Sequence, residues 1–231
     1  MSLLSRHCGR CYRQLATTTT PTAVNCIRRW IGFTPMTPPS LTSIVDIDKL
    51  SKEDSGTIES IWISYHNDDD TDSIINKRKS TMASALVLCK EDADTIKIRA
   101  KMSPLFILPV FKESSDSFLL LLSQYQEKHG FILTYLEEYK RNPETASPWM
   151  SLMLYSEFEI SKGISLVRSD FTPNITKKEN VIISQILVDV YRAQDMYDAH
   201  VHTFNKEPSK FDFDKYILTC KNNYSQRFLL K

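Results

Sequence analysis

The stretch Leu105-Phe-Ile-Leu-Pro-Val-Phe-Lys-Glu-Ser-Ser-Asp-Ser-Phe-Leu-Leu-Leu-Leu-Ser-Gln-Tyr-Gln126 decides the fold. Leu105–Phe111 is an unbroken apolar run, as expected for a strand covered on both faces. Pro109 has no amide hydrogen to give, so this strand belongs at a sheet edge or carries a bulge. Phe118–Leu122 is a second buried run that continues to Gln126. The polar link Lys112–Ser117 has the length of a hairpin connection, so the two strands pair antiparallel.

Downstream, Phe131-Ile-Leu133 follows a His129-Gly130 turn as a third strand. Thr134-Tyr-Leu-Glu137 reads as a capping box opening a short helix to about Lys140. Asn142-Pro143 and Ser147-Pro148 bracket a loop. Trp149–Phe158 is a fourth strand, Ser161-Lys-Gly163 a tight connection, and Ile164–Ser169 a fifth strand with alternating apolar residues. Thr176-Lys-Lys-Glu179 is a second capping box, and the helix after it runs to about Ala193. Ile183, Ile186, Leu187, Val190 and Gln194 form its stripe, widened by Val181, Ile182, Val188 and Tyr191, so this helix packs on the sheet. Residues 197–204 fit strand or helix equally, and Pro208–Cys220 reads as loop then helix.

Upstream, Ile58, Ile61, Trp62 and Tyr65 share one face of a helix over Thr57–His66. Ser51 and Asp54 supply a start signal. Lys77–Met102 reads as helical, in one or two pieces, and Ser103-Pro104 stops it. Asn67–Asp72 holds four acids in six residues. It lacks the glycine and terminal glutamate of an EF-hand, so a solvated linker is favoured over a calcium loop. The expected fold class is α+β: a single domain with a mainly antiparallel sheet flanked by N-terminal and C-terminal helices.

The 231 residues are 42% apolar and 25% charged, ordinary values for a folded core. Five glycines, none close enough to another to make a GxGxxG or GxxxxGK[ST] loop, exclude both nucleotide fingerprints. The net charge of +1 hides an asymmetry. Residues 1–45 carry five arginines and no acid, whereas the remaining 186 hold 24 basic and 28 acidic side chains. Arg, Ser and Thr without acid mark an organellar transit peptide, with mitochondrion favoured over plastid for its arginines. The reading is a transit peptide and disordered leader over 1–40, cut between Arg13 and about Ser40, followed by one domain over 41–231. The near-neutral, slightly acidic body offers no nucleic-acid footprint. No apolar run reaches the roughly 18 residues of a membrane span, so no membrane insertion is expected.

Chemistry is sparse. Cys8, Cys11 and Cys26 fall in the leader. Cys89 and Cys220 are expected as buried free thiols, too few for an all-cysteine zinc site. No GxSxG or SxxK motif occurs. His200 and His202 would share a face if their segment were a strand, offering two metal ligands where zinc needs a third from elsewhere. Glu137 and Glu138 suit the start of a helix, where acids complement the dipole. Asp212 and Asp214 fit a docking strand or the first turn of a helix. No catalytic, cofactor-binding or metal residue is assigned, and no cofactor is expected.

Certain strings, taken in order, carry a resemblance. They are Ile61-Trp-x-x-Tyr-His66, Pro104-Leu-Phe-Ile-Leu-Pro109 followed by Gln124-Tyr-Gln126, and Thr134-Tyr-Leu-Glu-Glu-Tyr139 with Ala146-x-Pro148. Lys162-Gly163 before Leu166-Val-Arg168, Phe204-Asn-Lys-x-Pro208 and Phe211-Asp-Phe213 complete the series. Over roughly Ile44–Cys220 the chain resembles the assembly-factor family of the mitochondrial ATP synthase catalytic head, the F(1) sector. Within it, the likeness is to the chaperone that holds the free β subunit. The glycine-free link Glu113–Ser117 and the acidic loop 67–72 depart from the family pattern. The resemblance implies a non-enzymatic matrix chaperone, monomeric when free. It implies binding of the unassembled β subunit, which is kept from aggregating until the α subunit replaces it. Exposed members of the sheet, including Tyr155 and Phe158, or the C-terminal Phe204 and Phe211 group, are the expected partner-binding residues. The competing reading is a matrix enzyme or metal-binding protein using His200 and His202.

Overall fold

The computed structural model describes residues 38–67, 82–112 and 117–224. The leader read over 1–40 lies outside these, residues 38–40 excepted, as does the acidic loop beyond Asn67.

Two single helical turns come first, α1 (Leu41–Ile44) and α2 (Ile47–Leu50), followed by α3 (Ser55–Asn67). The carboxylate of Asp54 starts α3. It accepts from the amides of Gly56 and Thr57 at 2.9 and 3.1 Å and from the Thr57 hydroxyl at 2.6 Å. Ser51, read as part of the same signal, instead ends α2.

β1 (Ala83–Cys89) then leads directly into α4 (Lys90–Met102). This corrects the expectation of helix through this stretch. Ala-Ser-Ala-Leu-Val-Leu-Cys has no polar alternation and is rich in good helix formers, so period alone could not assign it. Pairing decides it: β1 lies antiparallel along β6 (Ile164–Phe171), in register from Ala83 opposite Asp170 to Cys89 opposite Ile164. In α4 the acids Glu91 and Asp92 sit in the first turn and Arg99 and Lys101 in the last, complementing the helix dipole. Its sheet-facing residues are Ala93, Ile96 and Ala100, two of them small enough for close approach.

β2 (Leu105–Phe111) and β3 (Phe118–Gln126) form the expected hairpin, and β4 (Gly130–Tyr135) extends it. Pro109 does lie on an edge strand: with β5 over Pro148–Tyr155, the sheet order is β1-β6-β5-β4-β3-β2, antiparallel throughout. The short helix α5 (Leu136–Arg141) has Tyr135 at its cap without a side-chain bond. Thr134 is therefore not a capping residue; it is buried in β4, beside a register shift against Pro148. β5 (Pro148–Tyr155) stops earlier than expected, because Phe158 caps the turn α6 (Glu159–Lys162). Thr176 and Glu179 make the expected capping box of α7 (Lys177–Arg192). Ten α7 residues are buried, but Val181 is 47% exposed and does not widen the stripe. Beyond α8 (Gln194–Met196) come a π-helical turn (Tyr197–His202), α9 (Thr203–Lys206), a 3-10 turn (Pro208–Lys210) and α10 (Phe213–Tyr224). The Asp212 carboxylate accepts from the Lys215 amide at 3.0 Å, so the helix-start reading of the Asp212–Asp214 segment is the right one.

The alternation of β1, β5 and β6 divides the core in two. Leu86, Leu88, Leu152, Leu154 and Val167 join α4, α7 and α10 in the larger cluster. Ala85, Val87, Met153, Tyr155, Ile164 and Leu166 join Leu41, Leu50, Ile58 and Trp62 in the smaller one. The N-terminal helices thus cover one face of that end of the sheet and the C-terminal helices the other. On α3 the buried stripe is Ile58, Trp62 and His66, whereas Ile61 and Tyr65 are 44% and 56% exposed. A histidine holds a core position that the hydrophobic pattern had assigned elsewhere.

Gly130 has φ +70°, and a Cβ there would collide with the Leu152 carbonyl oxygen. Gly163 has the same φ with nothing within 4 Å of such a Cβ. Gly163→Ala is expected to cost about 1–2 kcal/mol, the left-handed backbone penalty alone. Gly130→Ala should cost more, by roughly another 1–3 kcal/mol of overpacking. Urea unfolding of the two variants against the parent measures both.

Candidate functional site

The expected site residues fall largely inside the protein. Tyr155 is 4% exposed, Phe158 2% and Phe211 6%, and Phe204 is partly buried against the larger core. None presents the exposed ring that the sequence reading assumed. Tyr155 stacks edge-on against Trp62 and donates its hydroxyl to the Pro39 carbonyl at 2.7 Å, tying the N-terminal segment down. Burial pushes its pKa above the ordinary phenol range, so it stays a donor. Phe204 and Phe211 surround Phe106 together with Tyr216.

The histidine pair is separated. Its segment is π-helical, not a strand, so residues two apart do not share a face. His200 is 4% exposed, against Tyr216 and Phe211, while His202 lies beside the Tyr197 ring. Among the described residues no group of three His, Cys, Asp or Glu side chains could hold a metal ion. Burial pushes the Cys220 thiol up to about 12. Cys89, expected to be buried, is exposed. Among the described residues no helix is long and apolar enough to cross a membrane.

Two polar constellations were missed by the sequence reading. The first links α3 to β6. Arg168 makes a bidentate pair with Asp170, at 3.0 and 2.6 Å to Oδ1. Its Nη1 lies 3.4 Å from His66 Nε2, and His66 Nδ1 lies 2.8 Å from the Trp62 carbonyl. A carbonyl only accepts, so Nδ1 carries the proton and Nε2 presents its lone pair to Arg168. The Trp62 indole donates to the Val167 carbonyl at 3.1 Å. A period-two signal for part of this was present: Arg168 and Asp170 are two apart in a strand and share a face.

The second lies at the end of the sheet where β5 outruns β4. A cleft of about 500 Å³ opens there between Lys97, Tyr125, Glu127, Gly130 and Met153–Glu157. Lys97 bridges α4 to α6, at 2.7 Å from Glu159 Oε1 and 3.2 Å from the Ser156 hydroxyl. Burial pulls the Lys97 pKa down, but its bonds to Glu159 and Asp94 outweigh this and leave it raised. Glu127, on the wall, pairs with Lys101 at 2.5 Å. Ile98 and Ile160, each next in sequence to a member of the Lys97–Glu159 pair, are 59% and 96% exposed. Lys97 and Glu159 are 62 residues apart, so no local motif could have announced them.

A family model described as ATP11 protein matches residues 34–217, and the chain belongs to that family. It is the family of F(1) assembly factors, so the resemblance carried by the ordered strings holds. The chain is also 27% identical over 166 residues to "Protein atp11, mitochondrial" of Schizosaccharomyces pombe. That alignment covers 71% of this chain and 52% of the relative, so the chain spans about half the length of the curated relative it matches.

Burial is the main cause that lowers the pKa of His66 from its ordinary 6.5, with Arg168 adding to it. His200 is lowered for the same first reason, with Lys215 beside it. In the unfolded chain both return to about 6.5, so between the folded and unfolded values the unfolded state binds more protons. The stabilisation is complete above pH 6.5 and falls as the pH drops through it, levelling off below the folded values. Thermal unfolding should therefore shift down between pH 7 and pH 5, and His66→Gln, which keeps a donor for the Trp62 carbonyl, should flatten part of that decline.

Proposed function

We propose that the chain is a molecular chaperone for assembly of the catalytic head of the mitochondrial proton-transporting ATP synthase. It binds the free β subunit and prevents its aggregation until the α subunit takes its place. The observation that carries this reading is the family match over residues 34–217, which spans nearly all of the described domain. The name of the fission-yeast relative supports a mitochondrial location, and the arginine-rich, acid-free residues 1–40 supply an address for the matrix. No catalysis is part of the reading, and the free protein works as a monomer.

The physics is mass action. A holder must cover apolar surface on a folded subunit and still yield it to a better partner. Exposed apolar side chains are available for this: Ile61 and Tyr65 one turn apart on α3, Ile98 and Met102 one turn apart on α4, and Ile160 on α6. In this reading Tyr155, Phe158, Phe204 and Phe211 serve the partner surface from beneath. The first two hold α3 and the N-terminal segment on the sheet, and the last two hold the C-terminal helices against β2.

Purified full-length chain mixed with unassembled β subunit should retain it through size-exclusion chromatography, and added α subunit should release it. Retention of α in place of β would overturn the choice of partner. Absence of any retained F(1) subunit would overturn the chaperone reading.

A further inference from the structure

The ladder between β4 and β5 ends at the pair Phe131–Leu152, although β5 continues to Tyr155 against β6. In an antiparallel strand the amide and carbonyl of one residue point to the same side, and successive residues alternate. The Leu152 carbonyl points to β4, where Gly130 closes on it. The Tyr155 carbonyl points the other way and accepts the Ser165 hydroxyl of β6 at 3.0 Å. Both observations turn the Leu154 amide and carbonyl toward β4's side, into the cleft. No residue of β4 stands there: the chain before Gly130 has left the sheet in a turn closed by the His129 amide on the Gln126 carbonyl at 2.9 Å. Leu154 lines the cleft and its side chain is buried in the larger core, so its backbone faces the floor of the cleft.

Backbone groups that lie beyond the end of a ladder are both satisfied at once by an extended backbone. The walls define the rest of the occupant. Lys97 is already held by Asp94 and Glu159, and Glu127 by Lys101. Glu157, exposed at the lip, has no ion pair among the described residues and favours a cation. Tyr125 and Met153, which line the cleft, favour apolar side chains. We propose that this cleft is a strand-addition site, in which an extended segment of the client subunit, apolar with a basic residue, continues the line of β4 and pairs with Leu154. The proposal rests on the chaperone reading for the identity of the client.

The test follows the Leu154 amide by hydrogen exchange in the full chain. Two probes are used: unassembled β subunit, and the acetylated peptide Arg-Val-Thr-Val with its backbone N-methylated counterpart. Exchange at Leu154 should slow at least tenfold with β subunit and with saturating peptide, and the N-methylated peptide should have no effect. Glu157→Lys lies on an exposed side chain that lines the cleft, so it should weaken both probes five-fold or more while leaving thermal unfolding unchanged. Unchanged Leu154 exchange in a chain that retains β subunit would overturn the cleft and leave the chaperone reading standing. If β subunit is not retained, the chaperone reading fails, and the peptide decides the cleft: slowing supports it, no slowing overturns it. Slowing that grows with the chain's own concentration, without either probe, would assign the edge to a second copy and overturn the client proposal.

Discussion

The structure depends on β5 and β6 being buried on both faces. A strand whose successive side chains point to opposite sides needs a cover on each. In β6, Val167 enters the larger core and Leu166 the smaller, and in β5 Leu154 and Tyr155 divide in the same way. The long helix α7 can satisfy only one side. The other falls to α3 and the two turns before it, and the Trp62 indole fixes their position by donating to the Val167 carbonyl. The N-terminal segment is therefore structural: the chain from Pro39 onward is tied to β5 through the Tyr155 hydroxyl.

Polar links hold these layers in one register. Asn180 of α7 is fully buried, joined to Ser84 of β1 and, at 2.6 Å, to Ser169 of β6. Lys112, at the end of β2, meets the buried Glu179 at 2.8 Å. A one-residue slip of β1 would put an alanine in the place of Ser84, and one of β6 would put Arg168 or Asp170 in the place of Ser169, so the buried Asn180 amide would lose the partners that fit it. Apolar surface supplies the drive to pack, and the few buried polar groups select among the packings that drive would accept.

What could be read from the sequence was what is encoded locally. The hairpin at Leu105–Gln126, the edge position of Pro109 and the box at Thr176–Glu179 each depend on residues within reach of one another along the chain. What could not be read depended on distant partners. β1 is a strand because β6 lies beside it, and its alanines and leucines say nothing of that. His66 occupies the core because Arg168 stands 102 residues away to receive its lone pair. Tyr155, Phe158 and Phe211, expected at a surface, lie in the interior, since an aromatic side chain suits either place and composition cannot separate them. The family likeness survived these local errors because it rested on the order of many strings.

The sheet treats its edges unequally. β2 is guarded: Pro109 removes one donor, Asn205 bonds both the amide and the carbonyl of Leu105, at 3.2 and 2.6 Å, and the Tyr216 hydroxyl donates to the Ile107 carbonyl at 2.9 Å. Such covering is how natural sheets avoid pairing with other chains. The gap beside Leu154 lacks it. There the neighbouring strand stops short, Lys97 and Glu127 on the walls are already paired with Glu159 and Lys101 while Glu157 at the lip, among the described residues, is not, and the bare backbone extends over little more than one residue. A longer open edge would template aggregation. In the proposed reading, a gap this short would give a client two backbone hydrogen bonds, each worth about 0.5–1.5 kcal/mol net, enough to orient a segment and too little to retain it against a larger competing interface.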